Sequence, residues 1–175
     1  MNIARHILLV LLVFSIGPIV IAQNLNRSVY DSIRKKPILI DHISIEGLQQ
    51  GEFASYYFKE YESYRSNPKV MNQLYDLMAD VKIRIVLATW CIDSKRQVPR
   101  FIKILDQLNF DLHQLEMIGV DSRKMAGEID IEDLNIGLVP TFIFYKQNNE
   151  IGRIIERPTE SLEEDMLIIL TDLSR

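Results

Sequence analysis

The stretch "ATWCIDSKRQVP" (Ala88–Pro99) decides how this 175-residue sequence is interpreted, because it holds the single cysteine of the chain. It begins at the end of "KIRIVLAT" (Lys82–Thr89), a short and mostly apolar run that is typical of a strand buried on both faces. The residues Ser94–Leu108 that follow have helical periodicity, interrupted by Pro99. We therefore expect the Cys91 sulfur at the N-terminus of a helix.

This position favours a nucleophilic thiolate at Cys91. Unpaired backbone N–H groups and the helix macrodipole stabilise an anion there. Lys95 and Arg96 in the first turn add positive potential that tunes the ionisation of the thiol, and Asp93 opposes them. We predict a reactive thiol; the alternatives are a buried structural cysteine and an exposed thiol without a redox role.

The rest of the chain alternates strand and helix patterns. A strand is predicted before two helices, and a second buried strand follows the helix predicted at Ser94–Leu108. A hairpin and a terminal helix end the chain. The predicted elements are residues 37–46, 52–65, a helix opening at Asn67–Pro68, 115–121, a short helical stretch at 128–134, 141–146, 151–156, and a helix from Thr159. This order predicts an α/β sandwich in which an antiparallel hairpin extends a parallel pair, with helices on both faces.

Three signals in this order resemble the thioredoxin family. "TWCIDSK" resembles its Trp-Cys-x-x-Cys-Lys active site with Ser94 in place of the second cysteine, and Pro99 lies where that family kinks the helix. "IGLVPTFIFY" resembles the cis-proline segment and would place Pro140 against the sulfur. The resemblance covers Lys82–Arg175 and favours the exported, periplasmic thiol–disulfide oxidoreductase branch. It implies a thioredoxin-like three-layer α/β/α sandwich with a central mixed sheet and an N-terminal extension.

The resemblance also implies roles for individual residues. Cys91 and Ser94 occupy the catalytic positions, and the expected substrate-binding residues are Trp90, Ile92, Asp93, Val139 and Pro140. Ile85 stands where thioredoxins commonly bury an aspartate that serves the second cysteine. A Ser94 hydroxyl is too weakly acidic to cleave a mixed disulfide, so an external thiol would have to do so. We therefore expect monothiol exchange or disulfide isomerisation; the alternative is a redox-inactive module that binds extended peptides or a partner protein in the cis-proline groove.

The N-terminal sequence predicts export. Residues 1–22 have a basic start, an apolar run and small residues before Gln23, as a secretory signal peptide does. The alternative is an uncleaved membrane anchor, in which case the protein would contact the membrane. We interpret residues 23–36 as a linker and residues 37–175 as one domain, with 37–81 as the N-terminal extension and 82–175 as the core. The predicted location is periplasmic or secreted.

Composition and charge limit the classes of partner that the sequence predicts. The formal net charge is −4 and no block of basic residues stands out, so nucleic acid is not an expected partner. His42 and His113 are isolated and the chain has one cysteine, so we expect neither a metal site nor a cofactor. The expected partners are protein thiols and disulfides or a low-molecular-weight thiol. A dimer linked through Cys91 is a further outcome that the sequence leaves open.

Overall fold

The computed structural model describes residues 25–172. The predicted signal peptide and residues 23 and 24 of the predicted linker lie outside this range, as do residues 173–175. Among the described residues, no helix has both the length and the apolar character needed to cross a bilayer.

A six-stranded mixed sheet with the order β1-β2-β4-β3-β5-β6 forms the centre of the fold. β3 and β4 run parallel, and all other neighbouring strands pair antiparallel. The strands are β1 (Arg27–Asp31), β2 (Lys36–His42), β3 (Val81–Leu87), β4 (Leu115–Gly119), β5 (Thr141–Lys146) and β6 (Asn149–Ile155). The parallel pair with its β5–β6 hairpin is the arrangement that the sequence predicted.

The described part of the chain has five α-helices: α1 (Ile45–Leu48), α2 (Gly51–Ser63), α3 (Pro68–Leu77), α4 (Ile92–Gln107) and α5 (Leu162–Thr171). Local sequence sets their starts. The Asn67 side chain accepts a hydrogen bond from the Lys69 N–H with Pro68 in the first turn, and Ser161 caps α5 by accepting from the Glu164 N–H. α4 begins directly after Cys91, as the polar stretch there predicted.

The core divides into two clusters because residues of β3 alternate between the two faces of the sheet. Ile83, Ile85 and Leu87 belong to the larger cluster, which also contains the buried side chains of α2 to α5. Phe101 of α4 and Phe142 of β5 meet in this cluster with ring centroids 4.5 Å apart. On the opposite face the segment 121–139 covers the sheet, with a single 3₁₀ turn (Glu132–Leu134) in place of the predicted helical stretch at 128–134. The chain therefore has a thioredoxin-like α/β sandwich fold.

The predicted linker at residues 23–36 is wrong where the structure describes a strand. β1 pairs with β2 along its whole length, from Arg27 opposite Ile40 to Asp31 opposite Lys36. The sequence pattern did not predict β1 because the segment is polar, and an edge strand of this kind leaves one face of its side chains in solvent. The strand predicted at 37–46 ends at His42, and Ser44 starts α1 by accepting a hydrogen bond from the Gly47 N–H.

Two buried carboxylates connect the β1–β2 hairpin to the segment 121–139. Asp31 accepts a hydrogen bond from the Ser122 N–H at 3.0 Å. Asp41 accepts from Arg27 at 2.6 and 2.8 Å and from the Glu128 N–H at 2.8 Å. Burial alone would raise the pKa of Asp41, but these hydrogen bonds lower it below its usual value. These hydrogen bonds therefore attach the β1–β2 hairpin to the segment 121–139, which leads to Pro140.

Candidate functional site

Cys91 is the N-cap residue of α4, directly after the turn that leaves β3. Its N–H donates to the Ala88 carbonyl at 2.9 Å, and its own carbonyl accepts from the Lys95 N–H at 3.0 Å. The side chain is partly exposed. Its Sγ lies 3.2 Å from the carbonyl oxygen of Val139, to which the thiol donates a hydrogen bond. The sulfur thus lies at the positive end of a 16-residue helix, which favours an anion there.

The segment opposite the sulfur is the entry to β5. The Val139–Pro140 peptide bond is cis, and both side chains are buried. The Pro140 carbonyl accepts from the Glu156 N–H at 2.7 Å, which joins this segment to the end of β6. Leu138 is 47% exposed and Ile92 is 53% exposed. The structure therefore brings Cys91 and the Val139–Pro140 segment together. The accessible apolar side chains next to them in the chain are Ile92, which follows Cys91, and Leu138, which precedes Val139.

Ser94 faces the interior. It is completely buried, and its Oγ accepts a hydrogen bond from the Ala88 N–H at 3.2 Å. This bond satisfies a buried backbone donor at the end of β3, so the hydroxyl stabilises the turn that presents Cys91. Of the two catalytic positions that the resemblance implies, only Cys91 has chemistry that is accessible to a substrate.

Trp90 forms a rim beside Cys91 and is held on two sides. Its indole N–H donates to the Val120 carbonyl at 3.2 Å. The guanidinium of Arg34, from the β1–β2 turn, lies over the ring at 3.9 Å from its centroid and donates to the Ser122 hydroxyl at 3.0 Å. Sequence analysis did not identify Arg34, because it lies in the segment interpreted as a linker.

Asp93 is 6% exposed and forms an ion pair with Arg157, which follows β6. Arg157 Nε and Nη2 lie 2.9 and 3.4 Å from the two carboxylate oxygens. The hydrogen bond to Asp93 raises the pKa of Arg157 further above its ordinary value, and the guanidinium also interacts electrostatically with Cys91. Arg157 is a second site residue that sequence analysis missed, and no local pattern around it identifies it. Asp93 is committed to this pair and not open to a substrate.

The two basic residues predicted to tune Cys91 have different environments. Lys95 is 4% exposed; its Nζ lies 2.6 Å from Glu52 and 4.4 Å from the Tyr56 ring centroid. Glu52 also accepts from Lys36 at 3.0 Å, and the bonds from Lys95 and Lys36 lower the pKa of Glu52. Lys95 therefore departs from the prediction, since a carboxylate offsets its charge. Arg96 is exposed, and its side chain has no ion pair or hydrogen bond within residues 25–172.

The site has no acid beneath the sulfur at the position that thioredoxins use. Ile85 is completely buried, pairs with Met117 on β4 and Phe142 on β5, and belongs to the apolar core. Within the described range, no group of three or more His, Cys, Asp or Glu side chains could hold a metal ion. The group at this site that can act as a nucleophile is the Cys91 thiol.

Comparisons with known proteins assign the chain to no family. No protein-family model matches the chain, and no curated protein matches it. Similar solved structures include a protein of unknown function from Pseudomonas aeruginosa, with 16% identity over 69% of this chain and 71% of that chain and a TM-score of 0.46. Mitochondrial thioredoxin 3 from Saccharomyces cerevisiae has 22% identity over 55% and 86% of the two chains and a TM-score of 0.33. Thioredoxin O2 from Arabidopsis thaliana has 14% identity over 56% and 85%, with a TM-score of 0.36.

Proposed function

We propose that the protein is an exported monothiol thiol–disulfide exchange protein that acts through Cys91. The observation that supports this most strongly is the position of the sulfur. Cys91 is partly exposed and is the N-cap residue of a long helix, and its Sγ lies 3.2 Å from the backbone carbonyl oxygen that precedes a cis-proline. A buried structural cysteine would have no such access to solvent or to an unpaired set of helix N–H groups.

The reaction is a balanced exchange. The Cys91 thiol loses its proton, and the thiolate attacks one sulfur of a substrate disulfide. A Cys91–substrate disulfide forms, the original S–S bond breaks, and the other sulfur leaves as a thiolate that takes up a proton. Attack by a second thiol on the mixed disulfide reverses these bond changes and frees Cys91. The cycle is redox-neutral, so it transfers or rearranges disulfides without net oxidation.

Resolution by an external thiol follows from the environment of Ser94. Its hydroxyl is occupied by the Ala88 N–H, and a serine hydroxyl cannot act as the second sulfur. The mixed disulfide at Cys91 therefore persists until a substrate cysteine, a partner protein or a low-molecular-weight thiol attacks it. An oxidising exported compartment supplies disulfides for such a reaction.

A second function is favoured by the accessible apolar side chains next to the site. Ile92 directly follows Cys91, Leu138 directly precedes Val139, and both are exposed; Trp90 adds a partly exposed ring. These features fit a redox-inactive module that binds an extended peptide or a partner protein along the Val139–Pro140 segment. In that case the thiol would not be required for binding.

A trapping experiment separates the two functions. The purified protein is incubated with a model protein that has scrambled disulfides, and adducts are measured by intact mass with and without added thiol. Exchange predicts a mixed disulfide that builds up without added thiol and disappears with it, and no adduct for Cys91→Ala. If Cys91→Ala binds the same model protein as tightly as wild type and wild type forms no adduct, the binding module is the correct function.

Export is tested separately at the N-terminus. Sequencing the mature protein from the cell envelope should give Gln23 as the first residue, since the predicted cleavage follows Ala22. Recovery of the intact N-terminus in the membrane fraction would instead identify residues 1–22 as an anchor.

A further inference from the structure

The charge around the start of α4 is opposite in sign to that of the whole chain. The formal net charge of the protein is −4. Five basic side chains and four carboxylates lie on or next to the residues of the site. The basic residues are Arg34, Lys36, Lys95, Arg96 and Arg157, and the carboxylates are Asp31, Glu52, Asp93 and Glu156.

The four carboxylates do not neutralise this set, and Asp31 accepts from backbone N–H groups, including those of Arg34 and Ser122. Glu52 is shared between two lysines, and Asp93 is paired with Arg157. Glu156 interacts electrostatically with Arg157. Arg34 and Arg96 have no carboxylate partner anywhere in residues 25–172. An acidic protein thus has two exposed guanidinium groups without a carboxylate partner in the described residues, one over the Trp90 ring beside Cys91 and one on α4.

Arg34 is held in place in a way that leaves its outer donors available. The Trp90 ring fixes the plane of the guanidinium, and the Nε–H donates to Ser122. The terminal N–H groups of Arg34 have no hydrogen-bond partner in the described chain. A guanidinium with fixed orientation and free terminal donors is suited to bind a carboxylate.

We propose that the disulfide substrate of Cys91 is anionic, with a carboxylate close to the reacting sulfur. This inference depends on the proposed exchange function and specifies its substrate class. Arg34 and Arg96 bind the carboxylate and so bring the neighbouring sulfur to Cys91. The Cys91 thiolate then attacks that sulfur with the bond changes given above. The carboxylate belongs either to a small carboxylated disulfide or to an acidic residue that flanks a cysteine in a peptide.

Three symmetric disulfides of similar size test the inference. Dithiodipropionate is anionic, bis(2-hydroxyethyl) disulfide is neutral and cystamine is cationic. The rate of adduct formation at Cys91 is measured with each disulfide. Each rate is then divided by the rate at which a neutral model thiol reacts with the same disulfide. The normalised rate for the anionic disulfide should exceed that for the cationic one by about tenfold at low ionic strength, within the range of electrostatic steering. The ratio should fall in 1 M salt, where the screening length is about 3 Å.

Arginine variants locate the effect. Arg34→Gln and Arg96→Gln should each lower the anionic-to-cationic ratio by about two- to threefold, as expected for an exposed charge. The ratio is insensitive to changes in the reactivity of the sulfur itself, since such changes affect all three disulfides. Arg65→Gln is the matched control and should leave the ratio unchanged, because Arg65 precedes Ser66, which contacts Gln107 at the far end of α4.

The outcomes keep the two proposals separate. Equal normalised rates for the three disulfides, or equal ratios for Arg96→Gln, Arg34→Gln and Arg65→Gln, would overturn the inference and leave exchange intact. No adduct with any disulfide would overturn the exchange function, and the inference with it. Two further pairs identify the source of the carboxylate: oxidised glutathione and a peptide disulfide flanked by aspartates, each compared with its amidated analogue. The source is the compound whose rate exceeds that of its amidated analogue by the larger factor.

Discussion

Ser94 offers the sharpest test of how the site is built, because the structure gives its hydroxyl a structural contact only. Ser94→Ala removes the acceptor of the Ala88 N–H, and both residues are completely buried, so water cannot replace it. An orphaned buried N–H costs about 1–3 kcal/mol of the free energy of unfolding. In a domain of this size, each kcal/mol lowers Tm by about 2–4 °C. The expected loss in Tm is therefore about 2–12 °C.

Ser94→Cys tests the chemistry at the same position. Cα atoms three residues apart on a helix lie about 5 Å apart, and a disulfide accepts Cα separations of about 4.4–6.8 Å. The introduced thiol should attack the mixed disulfide at Cys91, form an internal disulfide and release the substrate as a thiol. We expect the mixed disulfide to disappear within seconds in Ser94→Cys and to persist in Ser94→Ala without an external thiol.

Intact mass spectrometry after an acid quench measures the adduct, and thermal unfolding measures the stability. The matched pair shares the loss of the hydroxyl, so a difference in adduct lifetime reports the new thiol alone. A folded Ser94→Cys protein whose adduct lasts as long as that of Ser94→Ala would refute the site geometry. A Ser94→Ala protein as stable as wild type would refute the role assigned to the hydroxyl.

Three further substitutions test the supporting structure. Hydrogen bonds, first that from the Arg34 N–H, lower the pKa of Asp31 from 3.8 to about 2. The carboxylate therefore contributes stability above pH 3.8 that is lost as pH falls through about 2, and acid unfolding should be less steep for Asp31→Asn. Lys95→Ala should cost about 1–2 kcal/mol in urea unfolding through lost packing and its ion pair, whereas Arg96→Ala should stay within about 0.5 kcal/mol. Glu163→Ala removes the acceptor of the partly buried Tyr64 hydroxyl and of the Asn67 N–H and should cost about 1–3 kcal/mol; Glu163→Gln, which keeps one carbonyl oxygen, should cost less.

Local patterns predicted the central part of the fold because they record local physics. The β-branched run before Cys91 and the polar stretch after it became β3 and α4, and Thr141–Lys146 became β5 with the predicted bounds. Asn67 and Pro68 started α3 for the capping reason that the sequence gives. Such signals depend on residues within a few positions of one another, so they can be read without knowing the fold.

The features that the sequence did not reveal depend on distant partners. Lys95 pairs with Glu52, which is 43 residues away in the chain, and Arg157 pairs with Asp93 at a separation of 64 residues. Arg34 reaches Trp90 only because β1 pairs with β2, and the short polar β1 gives a weak strand signal. The orientation of Ser94 likewise follows from the packing of α4 on the sheet, which a local motif does not determine.

The most direct test of the account is the rate at which iodoacetamide alkylates Cys91 in the native protein and in the same protein unfolded in urea. Since the chain has one cysteine, intact mass reports this site alone. If the helix N-terminus makes the partly exposed Cys91 nucleophilic, the native protein should be alkylated faster than the unfolded one. Slower alkylation of the native protein across the pH range, with rapid alkylation only after unfolding, would contradict the account.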